Sequence, residues 1–595
     1  YPDSLPYIER PVGPKQTDQF HLSLRFGAND ATLASLAADI QKRSVATSPS
    51  TKSWYDRLWF RTVAARAGVD VTFGPEGLGS LKYREEELLG SGTFRVDRVV
   101  MKGDTGTAFD ADLTSTIRTD TNRKEVTRQY KWGSVAVQYA PVGDRLNLTI
   151  TTTNTSPSII QSVFYEPFAL KFPAKPKEYD GNTPLLGHNI GSPTVLPLSY
   201  SSGVVALVNE DMKRPLMIGF PWALDRPAST LFPVKVNTGR NDMYPDSMPN
   251  VNRPVGPGQS DQFHLSLRFG PEDATAASLA GDAWKRFGAA FPPRLDWTDR
   301  RPIGTLFLAT AGEGWRTNPR GWFHDPQLDV ISKSGRNEFR LKLNAFIDES
   351  IAVLRDMNAQ GMILWDIEGE EFNHAITYIG DPRLVSTLAP EMDELADQFF
   401  ARYRDAGFRV GVCVRPQVFT RVSGNTIEQR ESADPARVLI DKIAYARKRW
   451  DATLFYIDSN GTPNFPMDPD VFRKVLEQFP DVLLVPEHAN LRYYAYSAPL
   501  RDLRRSPAPT TDEVRSIYPN AFSLINTADG PIDKHYEELV GAVSRGDVLV
   551  YRSWYRDPEN AKLKTIYGAA QASVKPIFRQ PFTAANLVAG ANALP

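Results

Sequence analysis

The sequence predicts a multidomain chain, an N-terminal all-β sandwich followed by a C-terminal (β/α)8-type barrel. Three observations lead there. From about residue 55 to 275, short alternating runs recur between turn formers, the pattern of many short strands in a sandwich. From about residue 300, apolar runs alternate with amphipathic helical stretches, as in parallel strands each followed by a covering helix. Several of those runs end in polar residues at the point where a barrel strand would leave the sheet. The boundaries read as 1–54 for a repeat segment and linker, 55–290 for the β-sandwich and 291–595 for the barrel.

The all-β part rests on Val69–Phe73, Val135–Tyr139, Leu146–Thr152 and Val204–Val208, each alternating or β-branched. In the barrel part the expected strands are Ile303–Ala309, Met362–Ile367, Arg409–Arg415, Thr453–Ile457, Val482–Val485, Ala521–Ile525 and Asp547–Tyr551. That makes seven, and the eighth is sought near Lys575–Phe578. Helices are expected over about 337–360, 391–406, 435–450, 469–478 and 560–573, with Asp434 capping the third and Gly407 ending the second. An open doubly wound sheet is the alternative, but no Gly-x-Gly-x-x-Gly follows the first barrel strand.

Residues 1–43 and 244–286 are near copies, identical at 31 of 43 aligned positions. Their shared core, Gln-Phe-His-Leu-Ser-Leu-Arg-Phe, is a strand pattern. The first copy is open to three readings: a strand of its own sandwich, a strand donated to a neighbouring molecule, or a remnant of duplication. Under the second, residues 1–43 support a homo-oligomer or strand-exchanged assembly.

Composition narrows the function. Lys+Arg number 69 against Asp+Glu 70, for a net charge of -1, so no basic excess draws nucleic acid or an anionic membrane surface. No run of 18 or more apolar residues offers a membrane span. The single Cys413 rules out an internal disulfide and cysteine-ligated metal clusters, and its apolar neighbours place it in a core. P-loop, Gly-x-Ser-x-Gly and His-Glu-x-x-His signatures are absent. The chain begins at Tyr1, which a cleaved export signal or trimming explains equally well. A secreted or periplasmic location is an expectation that comes with the carbohydrate chemistry sought at the strand ends.

Ala452-Thr-Leu-Phe-Tyr-Ile-Asp458-Ser-Asn-Gly461 and Asp481-Val-Leu-Leu-Val-Pro-Glu487-His-Ala-Asn490 each place an acid just beyond a buried strand. Neighbouring strands lie about 4.8 Å apart, and the two carboxyls of a retaining glycosidase stand about 5–5.5 Å apart. Asp458 and Glu487 are therefore the candidate catalytic pair. The competing readings are a turn-capping role for Asp458 and a structural ion pair for Glu487. Candidate substrate-binding residues are Trp365, Asp366, Glu368, Arg415, Asn460, His488, Asn526, Arg552 and Trp554. Asp366 and Glu368 are also open to catalysis or a solvated loop, Arg415 and Arg552 to core ion pairs, and Trp365 to the core. The aromatics Trp315 and Trp322 are offered for sugar stacking. No cofactor is required, although a divalent cation such as calcium on Asp366, Glu368 and His374 is an alternative.

Two resemblances sharpen this. Phe73-Gly-Pro-Glu-Gly-Leu-Gly-Ser-Leu-Lys82 resembles the first hairpin of the mutarotase-like super-sandwich, which precedes the barrel in several glycoside hydrolase families. Tyr456-Ile-Asp458-Ser-Asn-Gly resembles the nucleophile strand of retaining α-glycosidases. An Asp on strand four with a Glu on strand five is the placement in α-amylase-like and endo-α-N-acetylgalactosaminidase-like barrels. The resemblance implies a retaining glycoside hydrolase acting on an oligo- or polysaccharide, with Asp458 as nucleophile and Glu487 as acid/base. Tyr456 stands where the amylase pattern has Arg, which argues against a starch-like substrate. An inverting enzyme using Asp366 or Glu368 as base is a third reading. The other class is a non-catalytic extracellular carbohydrate-binding or self-assembling, strand-complemented protein.

Overall fold

A computed structural model describes residues 68–172, 195–200, 203–211, 214, 216–220, 231–239, 253–309, 315–369, 379–421, 427–461, 467–505 and 509–573. The first repeat copy, His374 and Lys575–Phe578 lie outside the described residues. All of the described residues belong to the unit that runs from Ala67 onward.

Two antiparallel sheets form the sandwich. The larger runs in the order 195–200, 203–209, 260–270, 145–154, 133–142, 125–130, 115–120, and the smaller in the order 217–219, 235–237, 159–166, 95–102, 108–110. Strict alternation makes Arg145–Asn154 two-faced: Leu146, Leu148, Ile150, Thr152 and Asn154 point inward, as a period of two requires. The apolar members meet Tyr139, Tyr165, Phe168 and Phe263 in one core. The hairpin of Val69–Gly74 with Gly77–Tyr83 closes through Gly77 in the left-handed half of backbone space, where a Cβ would strike the Gly92 carbonyl.

The second repeat copy fills the middle of the larger sheet. Ser260–Gly270 pairs with Arg145–Thr153 on one side and Val204–Asn209 on the other. Arg253, from the same copy, is buried and donates to both oxygens of Asp261 at 2.8 and 2.9 Å and to Asp211 at 2.9 Å. After this strand the helix α1 (Ala276–Ala290), capped by Thr275, covers the outer face. Leu279, Ala280 and Ala283 pack on Val204, Ala206 and Val208. Further along the same stripe of α1, Trp284 and Phe287 join the barrel's core.

The barrel strands are β1 (Ile303–Leu306), β2 (Gly361–Leu364), β3 (Arg409–Val414), β4 (Leu454–Ile457), β5 (Leu483–Pro486), β6 (Leu500–Asp502), β7 (Leu524–Asn526) and β8 (Val548–Arg552). All ladders are parallel, in the order β5-β4-β3-β2-β1-β8-β7-β6. No ladder joins β5 to β6 among the described residues, but the Ala498 amide donates to the Leu484 carbonyl at 3.0 Å and closes the ring there. The covering helices are α2 (Lys333–Asp356), α3 (Pro390–Asp405), α4 (Pro435–Trp450), α5 (Asp470–Gln478), α6 (Asp512–Ile517), α7 (Tyr536–Ser544) and α8 (Asn560–Ser573). Asp434 caps α4 as expected, and Gly407 follows α3 at φ 88°.

The strand count needs correction. The expected sixth and seventh strands are β7 and β8, and the missing one is Leu500-Arg-Asp502. It escaped because all three residues are only half-buried, so no apolar run marks it. The fold itself stands: an antiparallel sandwich followed by an eight-stranded parallel barrel.

Arg253→Ala leaves Asp261 buried without its main partner. Removing one member of a buried pair costs about 3–5 kcal/mol, so the unfolding midpoint should fall markedly. A change within about 0.5 kcal/mol, the scale of an ordinary surface substitution, would show that this pair does not hold the central strand.

Candidate active site

Inward-facing positions decide which side chains can meet. Ile303, Ile363, Trp365, Cys413, Leu454, Tyr456, Leu483, Val485, Leu524, Val548 and Val550 fill the barrel interior. Side chains two residues apart share a face. The next inward positions toward the C-terminal rim are therefore Arg415, Asp458, Glu487, Asn526 and Arg552. That rim is the face where barrel enzymes carry their chemistry.

Asp458 and Glu487 come together. They face one space at the exits of β4 and β5, and Glu487 acts on the ionisation of Asp458. Asp458 is the more enclosed, with its side chain 8% exposed, against 30% for Glu487. The Arg415 Nε donates to Asp458 Oδ2 at 2.6 Å, and a second guanidinium nitrogen pairs with the same oxygen. Burial pushes the Asp458 carboxyl up to about 6. Arg415 opposes that rise and the neighbouring Glu487 adds to it. The two acids thus sit in unlike environments, Asp458 enclosed and clamped by a guanidinium and Glu487 more open to solvent.

The exit of β4 builds this arrangement. Ser459 adopts a left-handed conformation at φ 54°, and its amide donates to Glu487 Oε2 at 3.0 Å. Gln417 holds the Ser459 carbonyl at 2.9 Å. The expected turn at Asp458-Ser-Asn-Gly is present, but the Asp458 carboxylate faces Arg415 rather than capping it. Asn460 is fully buried and clasps His488, accepting from its amide at 3.0 Å and donating to its carbonyl at 3.3 Å. It therefore ties the two strand exits together. The His488 ring nitrogen lies 3.6 Å from Glu487. Burial and the Arg505 charge lower its pKa, against Asp458, so the ring is neutral at pH 7.

An aromatic floor lies beneath. Trp365 packs on Tyr456 (ring centroids 4.6 Å) and on Phe307 (5.4 Å), and Phe307 meets Trp554 at 5.2 Å. Trp365 is mostly core, being only 7% exposed. Trp322 is fully buried and donates to Glu391 at 2.6 Å, so it is not a stacking surface. Trp315 lies edge-on to His324.

The acids after β2 are enclosed by the protein. Asp366 is buried and accepts from the amides of Leu308 (3.0 and 3.1 Å) and Ala309 (2.6 Å), which seals the exit of β1. The alternation assumed for Asp366 and Glu368 fails because the chain turns at Ile367–Glu368. Glu368 is fully buried, and its carboxyl oxygens have no hydrogen-bond partner among the described residues. Burial pushes its pKa to about 8, and the Asp381 charge adds to the rise while Lys442 opposes it. No group of three or more His, Cys, Asp or Glu among the described residues is arranged to hold a metal ion.

Asn526 and Arg552 stand across the ring from the acid pair. Asn526 accepts from the Ala528 amide at 3.3 Å. Arg552 pairs with Asp529 and Asp557 beside a cavity of about 250 Å³ between the exits of β7 and β8 and the start of α8. Sequence reasoning missed Asp502, the carboxylate at the end of β6. Burial raises its pKa, but side-chain and backbone hydrogen bonds from Arg504 outweigh that and keep it low. It also missed Lys442 on α4. The signal was there: Leu439, Lys442, Ile443, Ala446 and Trp450 share one helical stripe, and the lysine sits among apolar neighbours.

No protein-family model matches the chain, and no curated protein matches it. Solved structures with similar arrangements include the galactosidase domain of an alpha-galactosidase-sucrose kinase, AgaSK, at 9% identity and TM-score 0.42, covering 84% of this chain and 77% of that one. The α-galactosidase from Lactobacillus brevis is 10% identical with TM-score 0.41, covering 85% and 78%. A galactose mutarotase related enzyme from Lactobacillus acidophilus is 11% identical with TM-score 0.23, covering 35% of this chain and 96% of that one. Likeness this slight carries no argument about chemistry, which rests on the geometry of the rim.

Glu368→Gln mimics the protonated acid. The folded-state pKa lies above the ordinary carboxyl value, so the folded chain holds the extra proton and wild-type stability falls as pH rises from about 4.5 to 8. The variant does not titrate. Its stability relative to wild type should therefore grow across that window, at about 1.4 kcal/mol per pKa unit. Unfolding midpoints at pH 5 and pH 8 check this, and an equal difference at both would contradict it.

Proposed function

We propose that the protein is a glycoside hydrolase that cleaves an O-glycosidic bond in an oligo- or polysaccharide with retention of configuration. The observation that carries this is the meeting of Asp458 and Glu487 at the mouth of the barrel, with Asp458 clamped by Arg415 and Glu487 more open to solvent. One member supplies a proton and the other a negative charge, which is what the two steps of double displacement require.

Arg415 favours charge on Asp458, so Asp458 is the nucleophile and Glu487 the proton donor. The more exposed Glu487 is the member free to swing. A sugar enters between the carboxyls, which stand about 5–5.5 Å apart in retaining enzymes, and Asp458 stays clamped by Arg415. Glu487 protonates the glycosidic oxygen as the bond to the anomeric carbon breaks and Asp458 Oδ bonds to that carbon. Glu487, now ionised, takes a proton from water. The hydroxide attacks the anomeric carbon and releases Asp458. The aromatic floor of Tyr456, Trp365 and Phe307 offers a flat apolar surface for the sugar's C–H face. No cofactor takes part in this scheme. A substrate of this class is met outside the cytoplasm, so the proposal carries a secreted or periplasmic location with it.

The test is a screen of aryl glycosides and polysaccharides, with the product anomer read by NMR. Asp458→Asn should abolish turnover, and Glu487→Gln should slow it by about 10²–10⁴-fold. Asp458 must be ionised to attack, and its carboxyl gives up its proton near pH 6, so kcat/KM should rise as pH rises through about 6. Unchanged turnover in Asp458→Asn, or kcat/KM that falls as pH rises through 6, would overturn the assignment.

A further inference from the structure

Lys442 is a lysine with no exposed surface, and double displacement at the acid pair makes no use of it. Its ammonium donates to three backbone carbonyls, those of Arg415 (2.8 Å), Gln417 (2.9 Å) and Gly380 (3.0 Å), and lies 3.5 Å from Asp381. Three donors meet three acceptors, so the group's hydrogen-bonding capacity is filled. The Gly380 carbonyl is bound twice, since it also accepts from the Arg415 amide at 2.9 Å. Gly380 sits at φ 60°, and a Cβ there would press on the Arg415 side chain at 2.9 Å and its amide nitrogen at 3.0 Å.

The two β3-exit residues pinned by their carbonyls are those whose side chains reach the acid pair. Arg415 grips Asp458 directly. Gln417 holds the Ser459 carbonyl, and the Ser459 amide holds Glu487. One buried cation on α4 thus fixes a short stretch of β3's exit from which one arm runs to each acid. Surface lysines do not behave this way. A desolvated ammonium is costly unless every proton is bonded, and here the bonds go to the backbone that carries the site.

We infer that Lys442 is a positioning residue, which holds Arg415 and Gln417 in register so that Asp458 is kept ionisable and Glu487 is kept against it. The inference rests on the reading of Asp458 and Glu487 as the reacting pair. The charged and titratable groups around the ammonium are Asp381 and Arg383 on the turn before α3, Glu368 at the exit of β2 and Cys413 on β3. Burial lowers the lysine's pKa to about 8, with Asp381 opposing, so it is charged across the range near pH 6 in which Asp458 ionises.

The test compares wild type, Lys442→Met and Lys442→Gln in the full chain. Two readouts are used: the acid limb of kcat/KM and the titration of the Asp458 carboxyl by ¹³C NMR, assigned with Asp458→Asn. Freeing Arg415 removes the influence that lowers the Asp458 pKa. Both the limb and the titration should therefore move up by about one pH unit in Lys442→Met, the lower end of what an adjacent Arg does. KM should stay within about twofold, because Lys442 touches no substrate in the sense of uniform binding. Lys442→Gln keeps a donor and should show a smaller upward shift, and it serves alone if the Met variant does not fold. An unmoved Asp458 titration in a folded variant would overturn the inference even if the wild type is an active glycosidase. A moved titration without any glycosidase activity would instead uphold the positioning role and remove the reaction proposed for the pair.

Discussion

The site depends on two carboxyls being brought together at one rim while a guanidinium clamps one of them. Strand spacing brings the ends of β4 and β5 within side-chain reach, inward parity points Asp458 and Glu487 at the same space, and the left-handed turn at Ser459 delivers an amide to Glu487. Burial alone would make Asp458 a plain neutral acid. Arg415 alone would make it a permanent anion. The opposition of the two, with Glu487 alongside, leaves a group that changes charge near pH 6, within the range where acid and base roles can be divided between neighbours.

The rest of the barrel supports that balance. The interior below the pair is apolar and aromatic, so the acids have no competing solvent from beneath. Asp366 spends its charge on the amides of Leu308 and Ala309, and Asn460 spends its amide on His488. Both fix the relative positions of neighbouring strand exits. The sandwich enters this support through α1, whose one apolar stripe contributes to both cores.

Much of this was legible in the sequence because strong physical signals were present. Short apolar runs bounded by turns marked seven of the eight barrel strands, and alternation marked Arg145–Asn154 and its partners. The strand-end rule placed Asp458, Glu487 and Arg415 on one rim. The failures have specific causes. Leu500–Asp502 is short and half-buried, so it carries no hydrophobic signature. Glu368 was assigned to the face of Asp366 on the assumption that the strand continued, whereas the chain turns. Asn460 and Asp366 look like ligands by type, and only coordinates reveal that backbone groups already occupy them. Lys442 was passed over because lysine is so seldom buried.

The account's central claim is that Asp458 becomes covalently linked to the sugar. Exposing the protein to a panel of 2-deoxy-2-fluoro glycosyl fluorides, then mapping the adduct by peptide mass spectrometry, tests it directly. The account predicts a single glycosyl ester on the peptide containing Asp458, lost in Asp458→Asn and slow to form in Glu487→Gln. An adduct on another carboxylate, or labelling that persists in Asp458→Asn, would contradict it.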